Sequence, residues 1–472
     1  MKQILQSYRT GHMELADVPA PICDDVGILV RTACSLVSAG TEKTLVDLAR
    51  KSLVGKALAR PDLARQVLSK LRKEGVRQTL EKVFTKLDTP IPLGYSCAGE
   101  VVAVGAAVTR FKVGDRVACG GAGYANHAEL NYVPHNLAVP IPPGLDFETA
   151  AFATVGAIAM QGVRQAAVEL GHRVGVIGLG LLGQLTVQLL KAAGATVIGT
   201  DLAPERIDLA RQLGADHTAP GDSFSALAHA ISDGHGLDAV IITASTPSNA
   251  PVALAAESCR YRGKVVVVGM VGMDLPRADF YKKELDLRLS MSYGPGRYDP
   301  VYEEQGIDYP YALVRWTEGR NMQSFLDLCA AGRIDPRRLV THRFPFADAL
   351  RAYALMDGNS GEPYLGILLK YDLEREIARD IVRPPATSRK DAALRLGLVG
   401  AGNFARSVLL PRLVALPDVR FEAIATATGI SARTTGEKYR IPRLLADSDA
   451  VIADPAVNAV VITTRHDHHA GA

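Results

Sequence analysis

The 472-residue sequence predicts an α/β protein: an all-β domain, then a doubly wound parallel sheet, then the opening part of a second such sheet. Three observations predict it. The first ~150 residues carry short β-like runs punctuated by Gly and Pro. From Arg173 onward, strands alternate with helices, the pattern of parallel βαβ units. A strand leading through paired glycines into a helix occurs twice, at residues 173–183 (RVGVIGLGLLG) and 394–413 (LRLGLVGAGNFARSVLLPRL).

In the β domain, residues 1–150, the clearest runs are 27–33 (GILVRTA), 98–104 (AGEVVAV) and 115–118 (DRVA). Residues 43–90 interrupt them with apolar spacing of helical period, Pro61 beginning a new helix. Residues 43–86 hold 12 Lys/Arg against 4 Asp/Glu, which suits a solvated helical insertion. In residues 151–293 the strands are 173–178, 196–200, 239–244 and 264–269, separated by helices such as 183–193 and 204–213. Residues 294–370, helical at 322–331 and 346–356 with a strand at 365–370, are expected to return to the β domain. Residues 371–393 are charged, contain Arg383-Pro384-Pro385, and read as a linker.

Composition narrows the function classes. With 48% hydrophobic and 22% charged residues the chain can fill two or three cores. A net charge of +3 is too small to argue for nucleic acid or a membrane surface, and the expected partner is a small-molecule substrate, with no nucleic acid and no membrane. No apolar run reaches the ~18–20 residues of a membrane helix. The N-terminus MKQILQSYRTG lacks the apolar centre of a signal peptide. Six scattered cysteines without a C-x-x-C pair suit reduced thiols in a cytoplasm.

The first glycine turn, Gly178-Leu179-Gly180-Leu181-Leu182-Gly183, is a G-x-G-x-x-G where a dinucleotide needs one. The first glycine makes the tight turn, the second admits the pyrophosphate, and the third lets helix and strand approach. The helix N-terminus then presents N–H groups to the phosphates. Asp201 ends the next strand, 18 residues after Gly183, where an acid holds the ribose hydroxyls and favours NAD over NADP. Thr243 and Gly269, at the ends of later strands, complete the expected cofactor rim.

A β domain, a Rossmann fold and a returning segment resemble the medium-chain dehydrogenase/reductase family over residues 1–370. Val113-Gly114-Asp115-Arg116-Val117, Gly123-Tyr124-Ala125 and Val340-Thr341-His342-Arg343-Phe344 carry the likeness. It implies a GroES-like β domain and a substrate cleft between domains. Zinc-dependent members hold their metal on a Cys in a G-x-C-G-T-D-like stretch and a His in G-H-E. This sequence reads Leu36-Val37-Ser38-Ala39-Gly40-Thr41-Glu42 and Gly94-Tyr95-Ser96 there, and Thr154-Val155 near the third ligand. The expectation is a zinc-free member. Tyr95, Thr41 and Ser38 are then the candidate hydrogen-bond donors or proton relays, with Tyr95 first. A tyrosine that only packs is the alternative. Glu42 and His127 stand second. Tyr124, His127, Tyr293, Arg297 and Tyr298 are candidate substrate residues, since an Arg among tyrosines suits a hydroxylated or anionic substrate such as a sugar. A loop that merely packs between domains is the other reading.

The second turn fits G-x-G-x-x-A, with Gly400, Gly402, Asn403 and Phe404 as candidate cofactor contacts. Its following strand ends in Thr426-Ala427-Thr428 and not an acid, so NADP is allowed. The order resembles the N-terminal half of the Gfo/Idh/MocA oxidoreductases, with His469 matching a cofactor-facing histidine. The whole layout resembles the bacterial bidomain oxidoreductases, which implies sugar or nucleotide-sugar redox chemistry with a link to polysaccharide biosynthesis. Residues 394–472 are expected to be an incomplete module, and the chain a homo-oligomer. Competing readings are a quinone or enoyl reductase and a non-catalytic nucleotide-binding scaffold.

Overall fold

The computed structural model describes residues 1–51, 55–56, 89–357, 361–384 and 394–464. Most of the basic insertion and the stretch 465–472, with His469, lie outside the described residues.

The β domain is built on an 11-residue strand, Gly27–Val37, buried along most of its length. It pairs antiparallel with Ser96–Val104 on one side and Gly366–Lys370 on the other. Val340–Pro345, Arg116–Gly120 and Ala138–Pro140 extend this seven-stranded sheet, and Leu130–Pro134 also pairs with Gly27–Val37. The returning segment is therefore stitched into the first domain. Val340–Pro345 was not expected as a strand, although its half-buried and exposed residues alternate.

The nucleotide-binding sheet has six parallel strands: Arg173–Ile177, Thr196–Thr200, His217–Thr218, Leu237–Ile242, Cys259–Val267 and Asp286–Leu289. Their order is 3-2-1-4-5-6 in chain sequence, the doubly wound arrangement. Helices Ala153–Ala166, Leu181–Ala192 and Pro204–Gln212 cover one face through Val187, Leu190 and Ile207. Gly221–Ala230, Ala250–Ser258 and Arg277–Lys283 cover the other through Phe224, Val252 and Phe280. No helix among the described residues is long and apolar enough to cross a membrane.

The C-terminal unit is a second parallel sheet, Leu394–Val399, Val419–Ala425, Arg443–Leu445 and Ala459–Ile462, ordered 3-2-1-4. The segment expected as a plain linker contributes Ile381–Val382, which pairs antiparallel at the sheet's edge. Polar bonds bind this region to the β domain. The Met1 ammonium donates to Ala378 O at 2.6 Å, Ala20 N–H to Arg379 O at 2.7 Å, and Arg433 pairs with Glu14 at 3.0 Å.

Candidate functional site

The first glycine turn is shaped by close approach. Gly178 has φ +95°, and a Cβ there would sit 2.6 Å from Ala244 N. A Cβ on Gly183 would lie 1.9 Å from Gly178 O, so only glycine lets helix and strand meet. At Gly180 a Cβ would meet nothing within 4 Å, which leaves backbone open to a ligand. Gly180 is also the N-cap of Leu181–Ala192 and supplies no side-chain cap, so the N–H groups of Leu181, Leu182 and Gly183 have none. Asp201 braces the turn: its carboxylate accepts from Leu179 N–H at 2.6 Å and Ala203 N–H at 3.0 Å, with Arg206 at 3.7 Å. Thr243 donates its hydroxyl to Gly178 O, and a Cβ on Gly269 would strike Ala244 O, so the strand ends are drawn together. An open backbone, an uncapped helix start and an acid beside them fit a dinucleotide.

Three hydroxyls meet at the mouth of the β domain. Tyr95 donates to Ser38 Oγ at 2.7 Å, and the Thr41 hydroxyl lies beside the same phenol. Burial raises the Tyr95 phenol above its ordinary range, a tendency the hydroxyl partners oppose, so Tyr95 keeps its proton at neutral pH. Beneath it lies a buried network that sequence spacing did not reveal. Glu42 Oε1 accepts from Ser38 N–H at 2.9 Å, and Glu42 Oε2 takes the Tyr353 hydroxyl and sits 3.2 Å from His127 Nε2. His127 Nδ1 is 2.7 Å from Ser35 Oγ, which reaches the Tyr371 hydroxyl at 3.0 Å. With the carboxylate ionised, Nε2–H donates and Nδ1 accepts. His127 was expected as a substrate residue and a second-rank catalytic candidate. It is 0% exposed with both ring nitrogens engaged inside the protein, which removes it from direct substrate contact.

These residues do not fit a catalytic zinc. Among the described residues no group of three or more His, Cys, Asp and Glu side chains could hold a metal. The Glu42 carboxylate and the His127 imidazole are occupied by one another and by hydroxyls. Cys34, Cys97 and Cys119 are core residues, and burial pushes the Cys34 thiol up to about 12.

The segment after the last sheet strand bridges both domains. His135 lies 3.0 Å from Gly306 O, and Asn136 donates to Tyr302 O at 3.0 Å. From the other side Asn321 donates to Tyr293 O at 2.9 Å and is held by Arg164 at 2.8 Å. Tyr293 is buried, and it and Tyr124 both lie close enough to Arg297 to feel its charge. Arg297 lies 4.2 Å from the centre of the Tyr298 ring and 5.7 Å from that of Tyr293. It was expected to be free to fork onto an anion, but its Nη1 is 2.5 Å from Glu303 Oε1. Glu318 was not foreseen. It is 0% exposed, and neither carboxyl oxygen has a hydrogen-bond partner among the described residues. Burial, then the neighbouring Glu303, push it up to about 9 against the pull of Arg297.

The second turn is looser. Gly400 has φ +89°, Gly402 leaves open space, and Phe404 is 67% exposed. The regular helix expected over 405–414 begins instead as a π-turn, Ala405–Leu409, where Arg406 bonds the Asn403 amide oxygen at 3.3 Å.

Comparisons with known proteins place this geometry. Residues 182–305 match the zinc-binding dehydrogenase family, and residues 65–159 the alcohol dehydrogenase GroES-like domain. Sorbitol dehydrogenase of Bacillus subtilis is 30% identical over 288 residues, 55% of this chain and 75% of that protein. D-arabitol-phosphate dehydrogenase of Enterococcus avium is 26% identical over 319 residues, 60% of this chain and 83% of its own. The structure of alcohol dehydrogenase TADH from Thermus sp. ATN1 superposes with a TM-score of 0.59 at 22% identity, over 79% of this chain and 100% of that one.

Proposed function

Since the chain belongs to the medium-chain, zinc-type dehydrogenase family and is thereby an NAD(P)-dependent dehydrogenase or reductase, we propose that it moves a hydride between NAD(H) and a carbohydrate-like alcohol or carbonyl, without zinc. The observation that carries the reading is the hydroxyl corner of Tyr95, Ser38 and Thr41, which stands where the resemblance would put metal ligands. The polyol names of the relatives support the substrate class.

The turn from Gly178 to Gly183 holds the pyrophosphate, and Asp201 meets the ribose and disfavours a 2′-phosphate. NAD(H), when bound, supplies or accepts the hydride. Tyr95 hydrogen-bonds the substrate oxygen and gives up its phenolic proton as a carbonyl becomes an alcohol. Ser38 and Thr41 orient that phenol, and Glu42 fixes the Ser38 backbone. In the reverse direction the phenol's proton leaves first, relayed to solvent through the exposed Thr41 hydroxyl, which passes its own proton on as it takes the new one, and the phenolate then takes the alcohol's proton.

Residues 394–472 are proposed as part of a Gfo/Idh/MocA-type unit, a reading supported by the 3-2-1-4 strand order and the second glycine turn. A polysaccharide-linked role and a cytoplasmic site are further proposals, the latter supported by the unpaired cysteines. A homo-oligomer through the edge strand Asp286–Leu289 is supported by exposed Leu289, Tyr281 and Met291 around it.

The test is NADH oxidation and NAD reduction by the full chain against polyols, sugars and quinones, with metal analysis alongside. Turnover of a polyol or its carbonyl without bound zinc is expected. Stoichiometric zinc whose removal abolishes turnover would overturn the zinc-free part, and a quinone-only profile the substrate class.

A further inference from the structure

Resting on that reading, we propose that this cleft takes a neutral polyhydroxylated substrate and rejects its phosphorylated counterpart, because Glu303 closes the guanidinium of Arg297. Relatives of this chain are named for both kinds of substrate, so family membership alone does not decide.

Arginine is the usual ligand for a phosphate because its planar fork donates two parallel hydrogen bonds. Here one arm of the fork is already held, and its charge neutralised, by a carboxylate. Arg297 Nη1 lies 2.5 Å from Glu303 Oε1, and the two side chains are only 15% and 9% exposed. The rings of Tyr298 and Tyr293 lie beside the same guanidinium. A phosphate arriving there would have to share a guanidinium already neutralised by Glu303, or displace that carboxylate and leave it buried and unpaired beside a new dianion.

The other nearby cation, Arg164, is already engaged by Asn321 and Ser324 and lies over the Trp316 ring. Glu318 is fully buried, and at neutral pH its carboxyl is an uncharged acid. Burial, then Glu304 and Glu303, raise the Tyr124 phenol against the pull of Arg297, so it stays a neutral hydroxyl. The groups beside Arg297 itself are thus carboxyls and phenols: Glu303, Glu318, Tyr293 and Tyr298. What remains for recognition is neutral: the Tyr124 hydroxyl and the Tyr298 ring, 70% exposed. Such groups suit the hydroxyls and C–H faces of a polyol.

The experiment compares kcat/KM on a neutral polyol and its monophosphate, for the parent and for Glu303→Gln, which keeps shape and removes charge. The parent should favour the neutral substrate by about tenfold or more, and Glu303→Gln should narrow the gap through KM on the phosphate. A parent that prefers the phosphate overturns the proposal. In parallel, inorganic phosphate is titrated into the full chain with NADH present, using Arg297→Gln to isolate binding at this arginine. Arg297-dependent phosphate binding should be absent from the parent and gained in Glu303→Gln; its presence in the parent refutes the inference. Because this arm needs no turnover, a chain inactive on every polyol would defeat the functional reading while the phosphate titration still decides the role of Glu303.

Discussion

The two glycine turns begin alike and diverge within a few residues. Both leave a buried parallel strand through a glycine with positive φ, +95° at Gly178 and +89° at Gly400. In the first, Gly183 closes onto Gly178, Asp201 clamps two backbone N–H groups, and a 12-residue α-helix follows. In the second, Ala405 replaces the third glycine, a π-turn opens the helix, and Thr426 turns its hydroxyl to Thr428 O at 2.7 Å. The glycine signature therefore specifies how a strand turns into a helix. Cofactor grip depends on what braces the turn: the first has Asp201 just past its neighbouring strand to do so, whereas the acid on the second turn's neighbouring strand, Glu422, pairs with Arg420 instead.

That contrast can be broken most decisively at Tyr95. Tyr95→Phe should lower kcat by about 10²–10⁴-fold while costing only about 1 kcal/mol of stability. Undiminished turnover would move the chemistry away from the first cleft, leaving the second turn to explain it. Next comes Gly183→Ala, whose Cβ meets a backbone carbonyl. A loss of about 1–3 kcal/mol in thermal unfolding and weaker NADH binding are expected.

Acidity separates the regions as well. Glu318 in the first body is raised to about 9, so between its unfolded value and that value the folded state holds a proton that the unfolded state has released. Stability should therefore fall as pH rises through this window, by at most ~1.4 kcal/mol per pH unit from this group, and Glu318→Gln should flatten the slope. An unchanged slope in chemical denaturation would show that the carboxyl is already ionised.

Asp201→Asn should weaken NAD by about tenfold and narrow its advantage over NADP, measured by fluorescence titration. The smallest effect is expected at Gly402→Ala, where the nearest atom, Thr463 O, is 4.0 Å away: a change within about 0.5 kcal/mol and no effect on turnover. A large loss there would mean that the second turn is as tightly built as the first.

Much of the architecture was legible because it is written locally. Alternating strands and helices, the glycine spacing and Asp201 all lie within one βαβ unit. The hydroxyl corner was legible for a different reason, since Tyr95 and Ser38 stand at positions that the resemblance marks. What could not be read is what folding brings together from afar. Glu42 meets Tyr353 across 311 residues, and Ser35 meets Tyr371 across 336. Glu318 was hidden more deeply. An acid in the first turn of a helix, after the capping Thr317, is the ordinary exposed choice, and nothing in its neighbours announces burial. Arg297 misled because its partner, Glu303, six residues on, looks like the polar start of a surface helix.

The bonds joining Met1, Glu14 and Ala20 to residues 378, 433 and 379 have a mechanical consequence. They make the C-terminal unit cargo of the β domain, whereas no comparable set ties it to the six-stranded sheet among the bonds described. Any rotation that opened the cleft between β domain and nucleotide domain would swing that cargo with it, amplifying a small angular change into a larger displacement at its far strand, Ala459–Ile462. A pair of fluorophores, one there and one on the exposed helix Arg277–Lys283, would turn the second sheet into a pointer for the state of the first.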